Sequence, residues 1–235
     1  MLKPRRKLKK RQIKEDKLVT AYFKAQDWLR ENTRLLGYIG IGIVAVALIV
    51  VLVMRSERSA EDKASVELAR AELLVDQGKN EDAIAVLESL VDRYGGTSAA
   101  RLALLDLADT YYQQGEFDLA IKYFDQYLKK HSGYDPLLTA SAIAGKASCL
   151  EAKGQYEEAA KLFIQAAEKD PEGFNAPEYL MNAAFCYERL QRWDEAEKLY
   201  KRILDEYPKS PVRNDVEMAL ARVEVEKAKS ATSQG

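Results

Sequence analysis

The chain has 235 residues, 47% of them hydrophobic, which is enough for one or two domains with a buried core. Its net charge of −1 hides an asymmetry: residues 1–34 carry 12 Lys/Arg against 4 Asp/Glu, and residues 35–235 carry 24 against 33. A single histidine, with no catalytic, P-loop or metal-binding motif, leaves little for acid–base chemistry. We therefore expect no enzyme, no cofactor, no metal and no small-molecule substrate.

A basic head, residues 1–34, opens the chain. Residues 12–33 are predicted to form a juxtamembrane amphipathic helix. Five of its residues lie near one stripe: Ile13, Leu18, Tyr22, Ala25 and Leu29. Its lysines and arginines would face anionic headgroups, which favours a membrane surface over nucleic acid. The head can be a topology signal, or it can dock a cytoplasmic or membrane partner such as the translocon.

An apolar segment follows, Leu35–Met54, without one charged residue. Twenty residues of helix span about 30 Å, the thickness of the hydrocarbon core of a bilayer. The segment is longer than the apolar core of a signal peptide, and no small-residue cleavage site follows it. We expect a permanent transmembrane helix. The alternative is a buried core helix.

The charge bias across this segment predicts the topology, because the flank richer in lysine and arginine stays in the cytoplasm. The N-terminus is then cytoplasmic, and residues 55–235 lie on the other side. In a Gram-negative cell this means the inner membrane with a periplasmic domain.

The rest of the chain repeats itself with spacings of 37, 39 and 37 residues. Aligned on Gly78, Gly115, Gly154 and Gln191, every unit has alanine seven residues before this position and five residues after it. The alanine columns are Ala71, Ala108, Ala147 and Ala184, then Ala83, Ala120, Ala159 and Ala196. Large side chains occupy further columns, the last being Leu87, Phe124, Phe163 and Tyr200.

This pattern predicts antiparallel helix pairs. Alanines permit close crossing of the two helices, and the glycine ends the first helix in a conformation with positive φ. One pair cannot bury its apolar face alone, so the pairs must stack. Residues 212–229 follow as one more helix, with a charged outer face that suits a cap, and residues 230–235 are expected to be disordered.

The order of small, large, glycine, aromatic and small positions across residues 64–211 resembles the tetratricopeptide repeat (TPR). The third unit, residues 144–171, is nearest to it, and the first is furthest, with Asn80 in the aromatic column. The resemblance implies an all-α, TPR-like solenoid of helical hairpins, with about four repeats and a capping helix, behind one transmembrane helix. The domains are then 1–34, 35–54, 55–229 and 230–235.

The resemblance also implies protein binding through the concave face, which first-helix residues line. An apolar and aromatic groove suits extended polypeptide. The alternative is that several of these residues only pack against neighbouring helices. The basic clamp of chaperone-binding relatives is missing. The candidates are Leu68, Glu72, Leu105, Asp109, Tyr112, Ser148, Met181, Asn182, Phe185 and Arg189.

Cys149 and Cys186 occupy equivalent places in adjacent repeats. Neighbouring helices lie about 8–10 Å apart, beyond the reach of a disulfide, so we expect buried free thiols. His131, near the end of a repeat, is expected on a loop surface.

In layout, with a basic cytoplasmic head, one span and four extracytoplasmic repeats, the chain resembles the YfgM-like ancillary subunits of the SecYEG translocon. This implies a membrane-anchored protein-binding module accessory to the Sec translocon. Its partners would be the translocon, a periplasmic foldase of the PpiD type or translocated client polypeptides. The alternative is a structural scaffold for envelope assembly or cell division that recruits folded partners. A mitochondrial import receptor would require the opposite topology.

Overall fold

The structure, a computed structural model, describes the backbone of residues 10–232 and the side chains of residues 19–230. The chain divides into two compact units, Met1–Arg58 and Ser59–Gly235. The described backbone is helical, without strands. Its helices are α1 (Lys10–Glu31), α2 (Thr33–Asp76), α3 (Asn80–Tyr94), α4 (Ser98–Gln113), α5 (Phe117–His131), α6 (Pro136–Ala152), α7 (Tyr156–Lys169), α8 (Ala176–Arg189), α9 (Trp193–Glu206) and α10 (Arg213–Thr232).

The first unit consists of α1 and the first part of α2. The predicted head helix corresponds to α1, and it ends where the Asn32 side-chain amide donates to the carbonyl of Trp28 at 2.8 Å. Two predicted stripe residues, Ile13 and Leu18, and most basic residues of the head lie outside the described side chains. The other three predicted stripe residues, Tyr22, Ala25 and Leu29, are exposed.

Among the described helices, α2 is the one that is long and apolar enough to cross a membrane. It contains the predicted segment Leu35–Met54, and no residue of its most apolar stretch is buried. A core helix would have these side chains covered, so their exposure favours the membrane interpretation.

The second unit is a stack of four helix pairs. The last part of α2 pairs with α3, and α4–α5, α6–α7 and α8–α9 follow. All eight alanines of the two columns are fully buried. The large residues behind the second column, Leu87, Phe124, Phe163 and Tyr200, are 0–2% exposed. The predicted solenoid of four repeats with a capping helix is confirmed.

Each pair turns in the same way. Gly78, Gly115 and Gly154 have φ of +72°, +80° and +77°, and Gln191 has φ of +58° in the fourth repeat. At every turn the following N–H bonds back to the carbonyl five residues earlier, as Gln155 bonds to Leu150 at 2.9 Å. These bonds satisfy carbonyls that the end of the first helix leaves free.

We expect Gln191→Gly to stabilise the chain by about 1 kcal/mol, because a side chain is disfavoured at positive φ and glycine is not. Chemical denaturation followed by circular dichroism measures the change. The matched control is Gly154→Ala, which should destabilise by a similar amount, since its φ is also positive. Equal stability of both variants and the parent chain would contradict this account of the turn.

The two ends of the stack are built differently. In the first repeat, the Glu61 carboxylate accepts hydrogen bonds from the N–H groups of Ser98 and Ala99, at 2.8 and 3.1 Å, and so caps α4. At the other end, α10 buries Val216, Ala219 and Val223. This helix continues to Thr232, so the first three residues of the predicted disordered tail are helical, and residues 233–235 lie outside the described backbone.

Candidate functional site

The first helices of successive repeats carry a common exposed surface. We call this the first-helix surface. The structure places eight of the ten predicted residues on it, exposed or half-buried: Glu72, Asp109, Tyr112, Ser148, Met181, Asn182, Phe185 and Arg189.

The other two predicted residues, Leu68 and Leu105, are a correction. They are 8% and 9% exposed and belong to the core shared by the first two repeats. Both are covered because the exposed side of the first helix is centred about one residue later than the predicted stripe. The two leucines support the surface and do not form it.

Electrostatic neighbours connect these helices in order. The charge of Glu72 of α2 acts on Asp106 of α4. The charge of Glu151 of α6 acts on Tyr112 of α4, and Arg189 of α8 acts in turn on Glu151. The first-helix surface therefore runs continuously from α2 to α8.

The end formed by α2 and α4 is acidic. A cavity of about 230 Å³ is lined by Glu72, Asp106, Asp109 and Gln113, among others. Burial, followed by the charges of Glu72 and Asp109, raises the pKa of the Asp106 carboxyl to about 6, and burial also raises the pKa of Asp109. Within the described part of the chain, no lysine or arginine pairs with these three carboxylates. Such a surface attracts cationic groups.

Two aromatic side chains are exposed further along the surface. Tyr112 is 39% and Phe185 is 40% exposed. The Tyr112 ring rests on Phe117, with 5.6 Å between ring centroids. The Arg189 guanidinium lies over the rings of Tyr156, at 4.8 Å, and Phe185, at 6.0 Å, which orders the α8 end of the surface.

Two of the predicted residues, Ser148 and Met181, are less available. The Ser148 hydroxyl donates to the carbonyl of Ala144 at 3.1 Å, one turn earlier in α6. Met181 is partly buried against the core of the last two repeats. Both lie on the surface but are half-buried.

Asp106 and Glu151 are site residues that the sequence interpretation missed. Both are half-buried on the same surface, and burial raises the pKa of each. A signal was present, because Asp106 precedes Asp109 by three residues and so shares its side of α4.

The cysteines and the histidine are not part of this surface. Cys149 and Cys186 are buried free thiols, as predicted, and burial raises their pKa values to about 11 and about 12. His131 ends α5 half-buried between Tyr127 and Tyr134, with ring centroids at 5.7 and 5.9 Å, so its predicted place on a loop surface is wrong. No cluster of metal-ligating residues occurs among the described side chains.

Solved structures show the same fold at low sequence identity. Nearly identical TPR-like repeats from Podosopora anserina give a TM-score of 0.59 at 18% identity, covering 74% of this chain and 91% of that one. A tetratricopeptide repeat protein from Parabacteroides merdae gives 0.58 at 19% identity, covering 72% and 63%. MamA from Desulfovibrio magneticus RS-1 gives 0.52 at 17% identity, covering 74% and 97%. No curated protein matches the sequence.

Two family models, both described as tetratricopeptide repeat, match residues 68–136 and 150–223, together more than half of the chain. They cover repeats that the alanine columns and the turns define independently. Repeats of this kind are scaffolds for interaction between proteins. The chain belongs to the tetratricopeptide-repeat proteins, and it is a protein-binding module.

Proposed function

We propose that the chain is a membrane-anchored module that binds polypeptide segments through its first-helix surface, as an accessory of the Sec translocon. The observation that carries this proposal is the exposure of Tyr112 and Phe185 on a surface otherwise rich in carboxylates. Exposed aromatic side chains held on rigid helices are frequent anchors of protein interfaces.

The chemistry of the surface indicates what kind of segment it accepts. Apolar side chains of a partner would cover Tyr112 and Phe185, while its lysines or arginines would neutralise Asp106 and Asp109. Burial is the main reason that the pKa of Asp106 is raised, and binding a cation would relieve the second one, the repulsion by Glu72 and Asp109. An extended segment with alternating apolar and basic residues would contact both the aromatic and the acidic side chains of the surface.

The proposed location rests on α2 and on the charge of the basic head. The exposed apolar stretch of α2 supports a single membrane span. The excess of lysine and arginine before it supports a cytoplasmic N-terminus and a periplasmic repeat unit in the inner membrane. A binding unit held there could receive translocated proteins or pass them to a periplasmic chaperone.

Photo-crosslinking in living cells tests the proposal. A photoreactive residue at position 112 or 185 should form adducts with translocon subunits, a periplasmic foldase or many secreted chains, identified by mass spectrometry. The control probe replaces Gln165, an exposed residue of the second helix α7, and should give few adducts. A single folded envelope partner, without secreted chains, would overturn the translocon proposal and establish the scaffold alternative.

Binding by this surface has a further expected result. The double change Tyr112→Ala and Phe185→Ala should reduce the adduct yield of a probe at Asn182 about tenfold, since anchor residues dominate interface energies. The circular dichroism spectrum should stay unchanged, because both side chains are substantially exposed. An undiminished yield would show that the partner docks elsewhere.

A further inference from the structure

The capping helix α10 has two apolar faces. One consists of Val216, Ala219 and Val223 and is buried against the rest of the stack. The opposite side carries Met218 and Val225, which are 65% and 53% exposed. A terminal helix of a solenoid normally presents a polar outer face, because an apolar one reduces solubility. The outer side of α10 thus differs from the charged cap that the sequence predicted.

The residues along this outer side follow a regular spacing. They are separated by four, three and four positions, which is the spacing of the a and d residues of a coiled coil. All four are exposed. We call them the outer stripe: Asn214, Met218, Ala221 and Val225.

Charged residues flank the outer stripe with opposite signs on its two sides. Glu217 and Glu224 precede the two larger apolar residues, at g positions, while Arg222 and Lys229 occupy e positions. In a parallel two-stranded coiled coil, each g residue faces the e residue five positions later in the other strand. These pairs would be Glu217 with Arg222 and Glu224 with Lys229, both attractive.

We propose that the outer stripe is the docking surface for a second copy of this chain, with the two α10 helices parallel. The charge pattern selects this occupant, because the helix complements its own copy. An antiparallel pair would bring residues of the same flank together, and Glu217 and Glu224 would then repel their counterparts. All four charged side chains are exposed. Lys229 pairs within α10, with Glu226, and at 66% exposure it can exchange partners. Arg222 is held by Glu188, which is 11% exposed, so the pair of Glu224 with Lys229 is expected to contribute more.

The interface is short, so the predicted dimer is weak. About two heptads are available, and an interface of this size falls below the roughly 1,200 Å² of stable complexes. Two copies held in one membrane would meet at a higher effective concentration, which favours pairing. This last step rests on the proposed membrane anchor, whereas the pairing chemistry does not.

Cysteine cross-linking of the full chain in its membrane tests the proposal. In a parallel pair, equivalent positions of the two helices face each other, so Ala221→Cys should oxidise readily to a disulfide-linked dimer. The control is Val66→Cys at the other end of the stack, where Val66 is 69% exposed. Oxidation at position 221 should be several times faster than at position 66. The native thiols do not interfere, because both are buried. Equal rates at the two positions would indicate collision alone and overturn the proposal. Exclusive adducts with another protein would overturn it as well.

A charge exchange provides the second test. Glu224→Lys and Lys229→Glu should each weaken dimerisation of the full chain in detergent, on the order of fivefold, and the double variant should restore it. Sedimentation equilibrium measures the association. Both residues lie away from the first-helix surface, so polypeptide capture at Tyr112 should be unaffected. Failure of the double variant to recover would contradict the parallel arrangement.

Discussion

Replacing Gly145 with alanine should lower the free energy of unfolding by about 2 kcal/mol, although alanine is the better helix former. Gly145 lies in α6, directly beneath the ring of Phe124 from α5. A Cβ atom at this position would overlap three carbons of the ring, which is itself only 2% exposed and cannot move into solvent. Overpacking of a close helix crossing therefore outweighs the gain of about 1 kcal/mol in helix propensity.

Urea denaturation followed by circular dichroism measures this loss. The control is Gly96→Ala, where an added Cβ meets no atom within 4 Å and stability should stay within about 0.5 kcal/mol of the parent. Adding Phe124→Leu to Gly145→Ala should recover part of the loss, because leucine leaves space for the new methyl group. A Gly145→Ala variant more stable than the parent would refute the close packing of α5 and α6.

Replacing Asp106 with asparagine should stabilise the chain at pH 7.5 by about 1–2 kcal/mol, after allowance for partial solvent screening. The pKa of this carboxyl is raised to about 6 in the folded chain, from its usual 3.8. Ionisation is thus less favourable in the folded state, which lowers stability at every pH above 6. The deficit shrinks as the pH falls through 6, and it is gone below the unfolded value near 3.8.

The advantage of Asp106→Asn over the parent should therefore be largest near pH 7.5 and vanish near pH 4. Comparing the two chains isolates this effect from ion-paired groups such as Glu197, whose pKa is held at about 2 and whose pairing stabilises the fold at higher pH. Asp205→Asn is the control, because Asp205 is exposed. This variant should not become more stable than the parent near pH 7.5. A gain there equal to that of Asp106→Asn would show that the effect does not come from the acidic end of the surface.

Much of the fold follows from a few columns of the sequence. Where two helices cross closely, only a small side chain fits, whatever the surrounding residues are. All eight alanines were therefore correctly predicted to lie at such crossings, and all are buried. The turns were equally predictable, including the fourth, where Gln191 adopts the conformation of glycine. In that turn the neighbouring helices impose the backbone geometry, and the local preference of glutamine is overridden. For the same reason the first repeat forms a regular pair although Asn80 replaces its aromatic residue.

The site was less predictable, because exposure depends on how far each helix rotates about its axis. One residue corresponds to 100° on a helix, so a small error turns a surface residue into a core residue. This is why Leu105 was chosen and Asp106 was overlooked. The outer stripe of α10 was missed for a similar reason: the inner apolar residues explained the helix, and its charged neighbours suggested a polar cap.

The two buried cysteines are native probes of local unfolding. Each thiol lies in a different repeat, in the first helix of the third and of the fourth. Because both thiols are covered and stay protonated at neutral pH, a maleimide can reach them only when their repeat opens. Labelling rates of the single variants Cys149→Ala and Cys186→Ala would separate the opening of adjacent repeats. The native sequence thereby reports whether the stack unfolds as one unit or frays from its capped end.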